Sequence, residues 1–423
     1  MFIKELEVDN FKSFQTLKIS LNDLNILIGA NASGKSNFVL IFKFLRHIVQ
    51  HGLADAISME GGVEYLRNIS IGNKENLRFK LTYNPHSRFV RDTKSGLFGV
   101  QMPEATYEFE ISFYKRGKGF RIIKDQLVIT YQIVALEKGG NGQVQETSVL
   151  GKGAITYRLA GAKIQATLNL PTGLPLPVEA ISPLYDLLRM GVNLPDKTLF
   201  LETPFFNLAH NWLLENHLAN IAIYDFDPRL SKKAASITGK TELEEDASNL
   251  SLALKNILAD SEQKRKFMNL INYLLPFVND FSVMNQADKS LLFALREAHY
   301  TTTYLPAFLL SDGTVNLTAL IMALYFTENP LLVLEEPERT VHPSLIGKMV
   351  GLFEEISADK QILITTHNPE IVRHAPLENL LLISRDQNGF SQINRPSESK
   401  QIQIFMENEI GIEDLYVQNL LGV

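Results

Sequence analysis

The chain has 423 residues, an ordinary globular composition and a formal net charge of −6, so it has the length for a large core and no global basic field to draw in nucleic acid. It contains no cysteine, which excludes disulfides, thiolate metal sites and cysteine nucleophiles. The N-terminus is charged from Lys4 onward and has no secretory apolar region, and no apolar run approaches the ~18 residues of a membrane span. These features point to a cytoplasmic protein without a membrane partner.

The opening segment Phe2–Val8 alternates as a strand does and ends in the turn D-N-F-K-S-F (Asp9–Phe14); Thr16–Ile19 then reads as a second strand. Leu24–Ile28 (L-N-I-L-I) is a short apolar run with the character of a buried strand. It leads into G-A-N-A-S-G-K-S, Gly29–Ser36. The glycines Gly29 and Gly34 permit a tight path through Ala30, Asn31, Ala32 and Ser33, whose N–H groups can surround phosphates. Lys35 can reach the β- and γ-phosphates, and the Ser36 hydroxyl can sit on Mg²⁺. From Asn37 to about Gln50 apolar residues recur at helical spacing, which puts the loop at a helix N-terminus. A second G-K-T, Gly239–Thr241, lacks the first glycine and the preceding strand, and is a decoy.

From about Leu77 to Leu170 the period changes to two, with R-G-K-G and G-G-N-G at turns, as in a set of antiparallel hairpins. The proline-rich Pro171–Val178 marks a boundary. The pattern from about Ile181 to Phe277 is helical, with Ala247–Leu258 and Ser261–Leu275 as amphipathic segments. After Leu291 short apolar strands alternate with helices, the pattern of a parallel sheet.

Leu331–Leu334 is an apolar strand that ends directly in Glu335–Glu336. An acid at a strand tip can hold Mg²⁺, and its neighbour can orient or deprotonate an attacking water; Glu335 takes the first role and Glu336 the second. His342–Pro343 opens a helix, which gives His342 a structural rather than catalytic reading. One β-α unit later, Thr365-Thr366-His367 follows another strand, where His367 can hydrogen-bond the γ-phosphate or the water. Leu310–Thr314 (L-S-D-G-T) precedes a helix spanning Val315–Phe326, and Ser311 and Gly313 can offer a hydroxyl and an N–H to a phosphate there. Asp312 is misplaced beside an anion unless its side chain turns away as a cap.

Taken together, these strings resemble the ABC-type ATPase heads of the SMC and RecF class. More closely, the chain resembles the stand-alone prokaryotic AAA-like predicted ATPases related to the OLD family. The matching elements are I-K-E-L-E-V-D-N-F-K-S-F, the phosphate loop with Asn37, G-G-V-E-Y-L-R-N, D-A-S-N-L-S-L-A-L, L-S-D-G-T, E-E-P-E-R-T-V-H-P, T-T-H-N-P and the closing I-E-D-L-Y-V-Q-N-L-L-G. The resemblance implies an α/β fold: one ABC-type head over 1–423, with a mixed or parallel core sheet. Its parts would be a P-loop part of the core (1–76), an antiparallel β lobe (77–170), a helical lobe (180–300) and the signature, Walker B and switch part (301–423).

It also implies a Mg²⁺-dependent ATPase that works as a homodimeric switch. Ser311, Gly313 and Thr314 would cap the ATP of a second copy, and Arg339–His342 would form the interface loop. Lys12 and Ser13 match a segment that approaches the nucleotide, and Asp125 and Gln126 are candidates for a loop that senses Mg²⁺ and γ-phosphate. The implied roles are DNA maintenance or anti-phage defence beside a separate effector. Two departures stand out. The metal position usually holds Asp where this chain has Glu335, and about fifty-five residues follow His367, too few for the nuclease domain of OLD-like proteins.

Two other classes stay in view: a nucleic-acid enzyme with a nuclease in the insertions, and an ABC transporter subunit. The acids Glu242, Glu244, Glu245 and Asp246 read as a solvated face rather than a metal site. The basic strings Tyr114–Arg121 and Lys264-Arg265-Lys266 read as solvated surface, with DNA or RNA contact as the alternative.

Overall fold

Period-two patterning builds the first of two compact units, formed by Met1–Asn22, Ser36–Asn220 and Arg385–Ile393. The structure, a computed structural model, describes residues 2–85, 87–93, 96–115, 119–138, 144–169, 190–206, 217–299, 302–407 and 411–418. Eight strands of a ten-stranded antiparallel sheet run in the order Val192–Asn193, Lys163–Asn169, Val144–Ala160, Phe120–Lys138, Ala105–Phe113, Leu77–Asn84, Phe2–Phe11, Phe14–Ser20. The remaining hairpin, Ser87–Thr93 with Gly96–Met102, pairs with Phe120–Lys138. In Leu77–Asn84 and Ala105–Phe113 every second residue is buried, as expected of a sheet with one covered face. That face is aromatic. Phe79 stacks on Phe109 at 5.2 Å, Phe11 meets Phe79 edge-on at 5.4 Å, and Phe44 from the helix Lys35–His51 lies 5.6 Å from Phe79.

The first two strands therefore belong to the antiparallel sheet, and residue 76 separates no two sheets: Phe2–Phe11 pairs directly with Leu77–Asn84. The turn expected over Asp9–Phe14 narrows to Lys12 and Ser13. Asn10 and Lys12 take left-handed φ values of 54° and 47°, and Asn10 donates from Nδ2 to the carbonyls of Gly72 and Glu75. The two strings D-N-F-K-S-F and G-G-V-E-Y-L-R-N are partners here, since Asn68 donates its N–H to Asn10 Oδ1 and its Nδ2 to the Lys12 carbonyl.

The second unit comprises Asp23–Lys35, Ile221–Ser384 and Asn394–Val423. Its centre is a parallel sheet in the order Ile221–Tyr224, Leu331–Glu335, Gln361–Thr366, Leu24–Ile28, Leu380–Arg385. Leu24–Ile28 and Gln361–Thr366 are buried at every position, so the sheet is covered on both faces and reads as continuous apolar runs. The helix Asp312–Tyr325 is apolar almost all round and buried from Thr314 to Leu324. The helices Leu250–Ala259 and Ser261–Leu274 form where expected, and Phe267 packs 5.2 Å from Phe281 and 5.9 Å from Phe326.

The expected helical span is broken by strands, among them Val192–Asn193 and Ala235–Ser236. Ile221–Tyr224 is a parallel strand, and Val278–Asn285 pairs with Ser290–Glu297 as an antiparallel hairpin before the parallel strands resume. Four apolar residues carry too little period to separate strand from helix. The proline-rich boundary and residues 180–189 and 207–216 of the helical expectation lie outside the described residues.

Candidate active site

The phosphate loop is shaped by lack of space. A Cβ on Gly29 would stand 2.4 Å from the Ile383 carbonyl oxygen, so no side chain fits there. Gly34 sits at φ 118°, a region glycine alone enters readily. Between them Ala32 is left-handed at φ 62°. Lys35 bends back over the loop and donates to the carbonyls of Gly29, at 2.7 Å, and Ala30, at 3.1 Å. Burial lowers the affinity of its ammonium for the proton, against the carboxylates of Glu336 and Glu338, which raise it. The helix Lys35–His51 starts at once, with Ser36 and Asn37 in a first turn that has no acidic residue.

The parallel register sets the ends of the strands level. Glu335 lies opposite Thr365, Thr366 opposite Ile28, and Tyr224 opposite Leu334. The carboxyl edge of the sheet therefore presents Gly29, Asp225, Glu335–Glu336 and His367 together, which is where open α/β sheets bind ligands. Glu336 turns out of its strand at φ 44° while its N–H still donates to the Thr365 carbonyl at 2.9 Å. Its carboxylate is gripped from two sides. His367 Nδ1 is 2.8 Å from Oε1, and Arg339 Nη2 donates to Oε2 at 3.2 Å. The other arm of the same guanidinium donates to Asp225 Oδ1 at 3.3 Å. Partial burial raises the Glu336 pKa, but the hydrogen bonds and charges of His367 and Arg339 outweigh it and hold the carboxyl below the usual range.

Beneath this pair lies Glu338, 4% exposed, which accepts from the Thr366 hydroxyl. Burial pushes its pKa up against that bond. Thr366 in turn accepts the Asn368 N–H at 2.9 Å, so the buried acid is tied to the turn that carries His367. His342 caps the short 3-10 helix Pro343–Leu345, its Nδ1 accepting the Ser344 N–H. That is the structural role expected of it.

The L-S-D-G-T segment opens the helix Asp312–Tyr325. Ser311 is its cap, accepting the Thr314 N–H at 3.1 Å and lying 2.8 Å from the Thr314 hydroxyl. Asp312 is therefore not the cap; its carboxylate pairs with Lys232. Gly313 is pressed against the loop after the acids, where a Cβ would meet the Thr340 carbonyl oxygen at 2.6 Å.

In the antiparallel unit, Lys12, Ser13 and Asn37 line one cavity of about 320 Å³ with Arg67, Asn68 and Arg385. The Lys12 ammonium already pairs with Glu60 at 2.8 Å. The expectation for Asp125 and Gln126 needs correction: both lie inside the strand Phe120–Lys138, not in a loop. Asp125 is 1% exposed and accepts the Tyr107 hydroxyl at 2.8 Å and the Phe200 N–H at 2.5 Å. Of the basic strings, residues 116–118 lie outside the described residues. Lys264 pairs with Asp280 at 3.0 Å, and Lys266 lies over the Tyr325 and Phe326 rings, so both cations are engaged within the unit.

Asp225, Glu338 and Asn316, the last donating from Nδ2 to the Pro337 and Arg339 carbonyls, are partners of the candidate site that the sequence did not single out. Glu338 had a signal, a third acid in an otherwise buried block. Asp225 follows a strand too short to recognise, and Asn316 looks like any polar residue on an apolar helix.

A parallel sheet with a glycine loop ending in lysine and a pair of acids at its carboxyl edge is the arrangement of a P-loop ATPase fold of the α/β class. Residues 1–132 match the family model described as "AAA ATPase domain", and residues 194–373 match "AAA domain, putative AbiEii toxin, Type IV TA system". Both matched segments are thus similar to AAA ATPase domains. An uncharacterized protein of Methanocaldococcus jannaschii is 29% identical over 93 residues, and the match spans about a quarter (24%) of that protein's length. Among solved structures, the Smc head domain bound to the C-terminal domain of ScpA, derived from Pyrococcus furiosus, aligns over 97% of this chain and 100% of that one. The identity is 14% and the TM-score 0.48. The SMC head domain from Thermotoga maritima aligns over 93% and 99%, with 14% identity and a TM-score of 0.40. Among the described residues, no helix is long and apolar enough to cross a membrane.

Proposed function

We propose that the chain is a Mg²⁺-dependent ATPase that closes on ATP as a homodimer and opens on hydrolysis, signalling to a separate effector in DNA maintenance or anti-phage defence. The observation that carries the hydrolytic part is the Glu336 carboxylate, held ionised at the carboxyl edge of the sheet by His367 and Arg339. Lys35 sits close enough for Glu336 to act on its charge. The residues fit a nucleoside triphosphate: the loop has no room for a side chain at Gly29, and its lysine is folded over the loop, donating to the Gly29 and Ala30 carbonyls.

In this reading Lys35 exchanges those carbonyls for phosphate oxygens. Glu336 takes a proton from water as the water oxygen bonds to the γ-phosphorus and the bond to ADP breaks. His367 keeps the carboxylate aimed, and Ser311, Gly313 and Thr314 face the nucleotide of the second copy. Mg²⁺, when bound, would neutralise phosphate charge, with Ser36 and Glu335 as the residues that hold it. The defence role is supported by the toxin–antitoxin description of the matched family model.

Purified protein is expected to release phosphate from ATP only with Mg²⁺. Lys35→Ala should abolish the activity, and Glu336→Gln should lower kcat by roughly 100- to 10,000-fold, the usual worth of a general base. A Glu336→Gln protein with the native rate would refute the role of that carboxylate.

A further inference from the structure

The residues after the catalytic acid follow an unfavourable path. Glu336 enters the loop at φ 44° and Thr340 leaves it at φ 68°, both left-handed without being glycine, and Thr340 is β-branched. Such a path persists only where the surroundings impose it. Within the loop, the Arg339 N–H donates to the Glu336 carbonyl and the Val341 N–H to the Glu338 carbonyl, both at 3.0 Å. The outside restraint comes from the helix Asp312–Tyr325. Asn316, 3% exposed, donates from Nδ2 to the Pro337 carbonyl at 3.0 Å and to the Arg339 carbonyl at 2.7 Å. Both neighbours are acceptors, which fixes the orientation of the amide. The same helix touches the loop a second time through Gly313, packed on the Thr340 carbonyl with no space for a methyl group. Two contacts one helical turn apart make the start of the helix and the backbone of residues 337–340 a single piece.

We propose that Asn316 is a positioning residue that transmits the state of Leu310–Thr314 to Glu336. The proposal rests on the dimeric reading, in which that segment meets the nucleotide of a second copy. When it does so, the helix end and the Pro337 and Arg339 carbonyls shift together. The Glu336 carboxylate is then re-aimed relative to His367 and released from Arg339. Each copy's acid thus becomes competent only when its own L-S-D-G-T segment is engaged on the other copy. Asn316 touches neither substrate nor water; its effect passes through two backbone carbonyls.

The test compares Asn316→Leu, of nearly the same size but without a donor, with Asn316→Gln, which keeps the donor on a longer arm. Steady-state ATPase, melting temperature and ATP-dependent sedimentation are measured for each, the last also in the Glu336→Gln background. Asn316→Leu is expected to dimerise with ATP as before and keep its KM within about threefold, while kcat falls at least tenfold; Asn316→Gln recovers part of kcat. A native kcat in Asn316→Leu overturns the proposal. So does a loss of kcat that merely follows the melting temperature in both variants. If Glu336→Gln alone fails to dimerise with ATP, the dimeric reading itself falls and takes the proposal with it. Normal dimerisation with an unchanged kcat retires the role of Asn316 alone.

Discussion

Glu336 makes two contacts of unequal kind: a 2.8 Å bond with His367, one strand over, and a 3.2 Å bond from Arg339, whose side chain is about half exposed. An exposed ion pair contributes little and is easily exchanged, which suits the release of Arg339 in the proposed mechanism. Glu336 and His367 were legible in the sequence because each directly follows an apolar strand. Asp225 and Asn316 were not, since their meaning lies in contacts made 114 and 21 residues away along the chain. Two glycines give a residue-scale prediction with its own control. An alanine at Gly313 would press on the Thr340 backbone oxygen, whereas one at Gly351 meets nothing within 4 Å. Gly351→Ala is expected to be neutral or to stabilise by about 0.5–1 kcal/mol. Gly313→Ala should lower both the melting temperature and ATPase activity. Equal melting temperatures and rates for the two variants would show that the close approach at Gly313 is not required.

Elements were legible in proportion to their length and period. The antiparallel strands and the helix Lys35–His51 carry many repeats of one pattern, and Leu24–Ile28 was read to the residue. Ile221–Tyr224 has four residues and no alternation, so only its pairing with Leu331–Leu334 identifies it. Asp125 shows what one buried acid does to an element. It anchors the start of Phe200–Glu202 to the strand Phe120–Lys138, and burial pushes its pKa up to about 7 against the bonds from Phe200 and Tyr107. A carboxyl with a raised folded-state pKa contributes stability that is full below its unfolded value, near 3.8, and is lost as pH rises towards about 7. Asp125→Asn can keep both contacts, accepting from the Phe200 N–H and donating to Tyr107, without a charge to bury. Denaturation at pH 5 and pH 8 should show a smaller pH dependence in the variant. A pH dependence equal to that of the native protein would mean that Asp125 is not the group responsible.

At the scale of the molecule, each of the two compact units carries its own sheet. In one unit the parallel sheet aligns the loop, acids and histidine along one edge; in the other, Lys12 and Ser13 from a turn of the antiparallel sheet and Asn37 from the helix Lys35–His51 line one cavity. In the proposed dimer, L-S-D-G-T belongs to the active site of a second copy. Sedimentation of Glu336→Gln with and without Mg²⁺–ATP tests it most directly, alongside Ser311→Arg in the same background. Twice the monomer mass is expected with ATP, and the monomer mass without it. With Ser311→Arg, the protein should stay monomeric while still binding ATP. A Glu336→Gln protein that binds ATP yet stays monomeric, or whose dimer is indifferent to ATP and to Ser311→Arg, would contradict it.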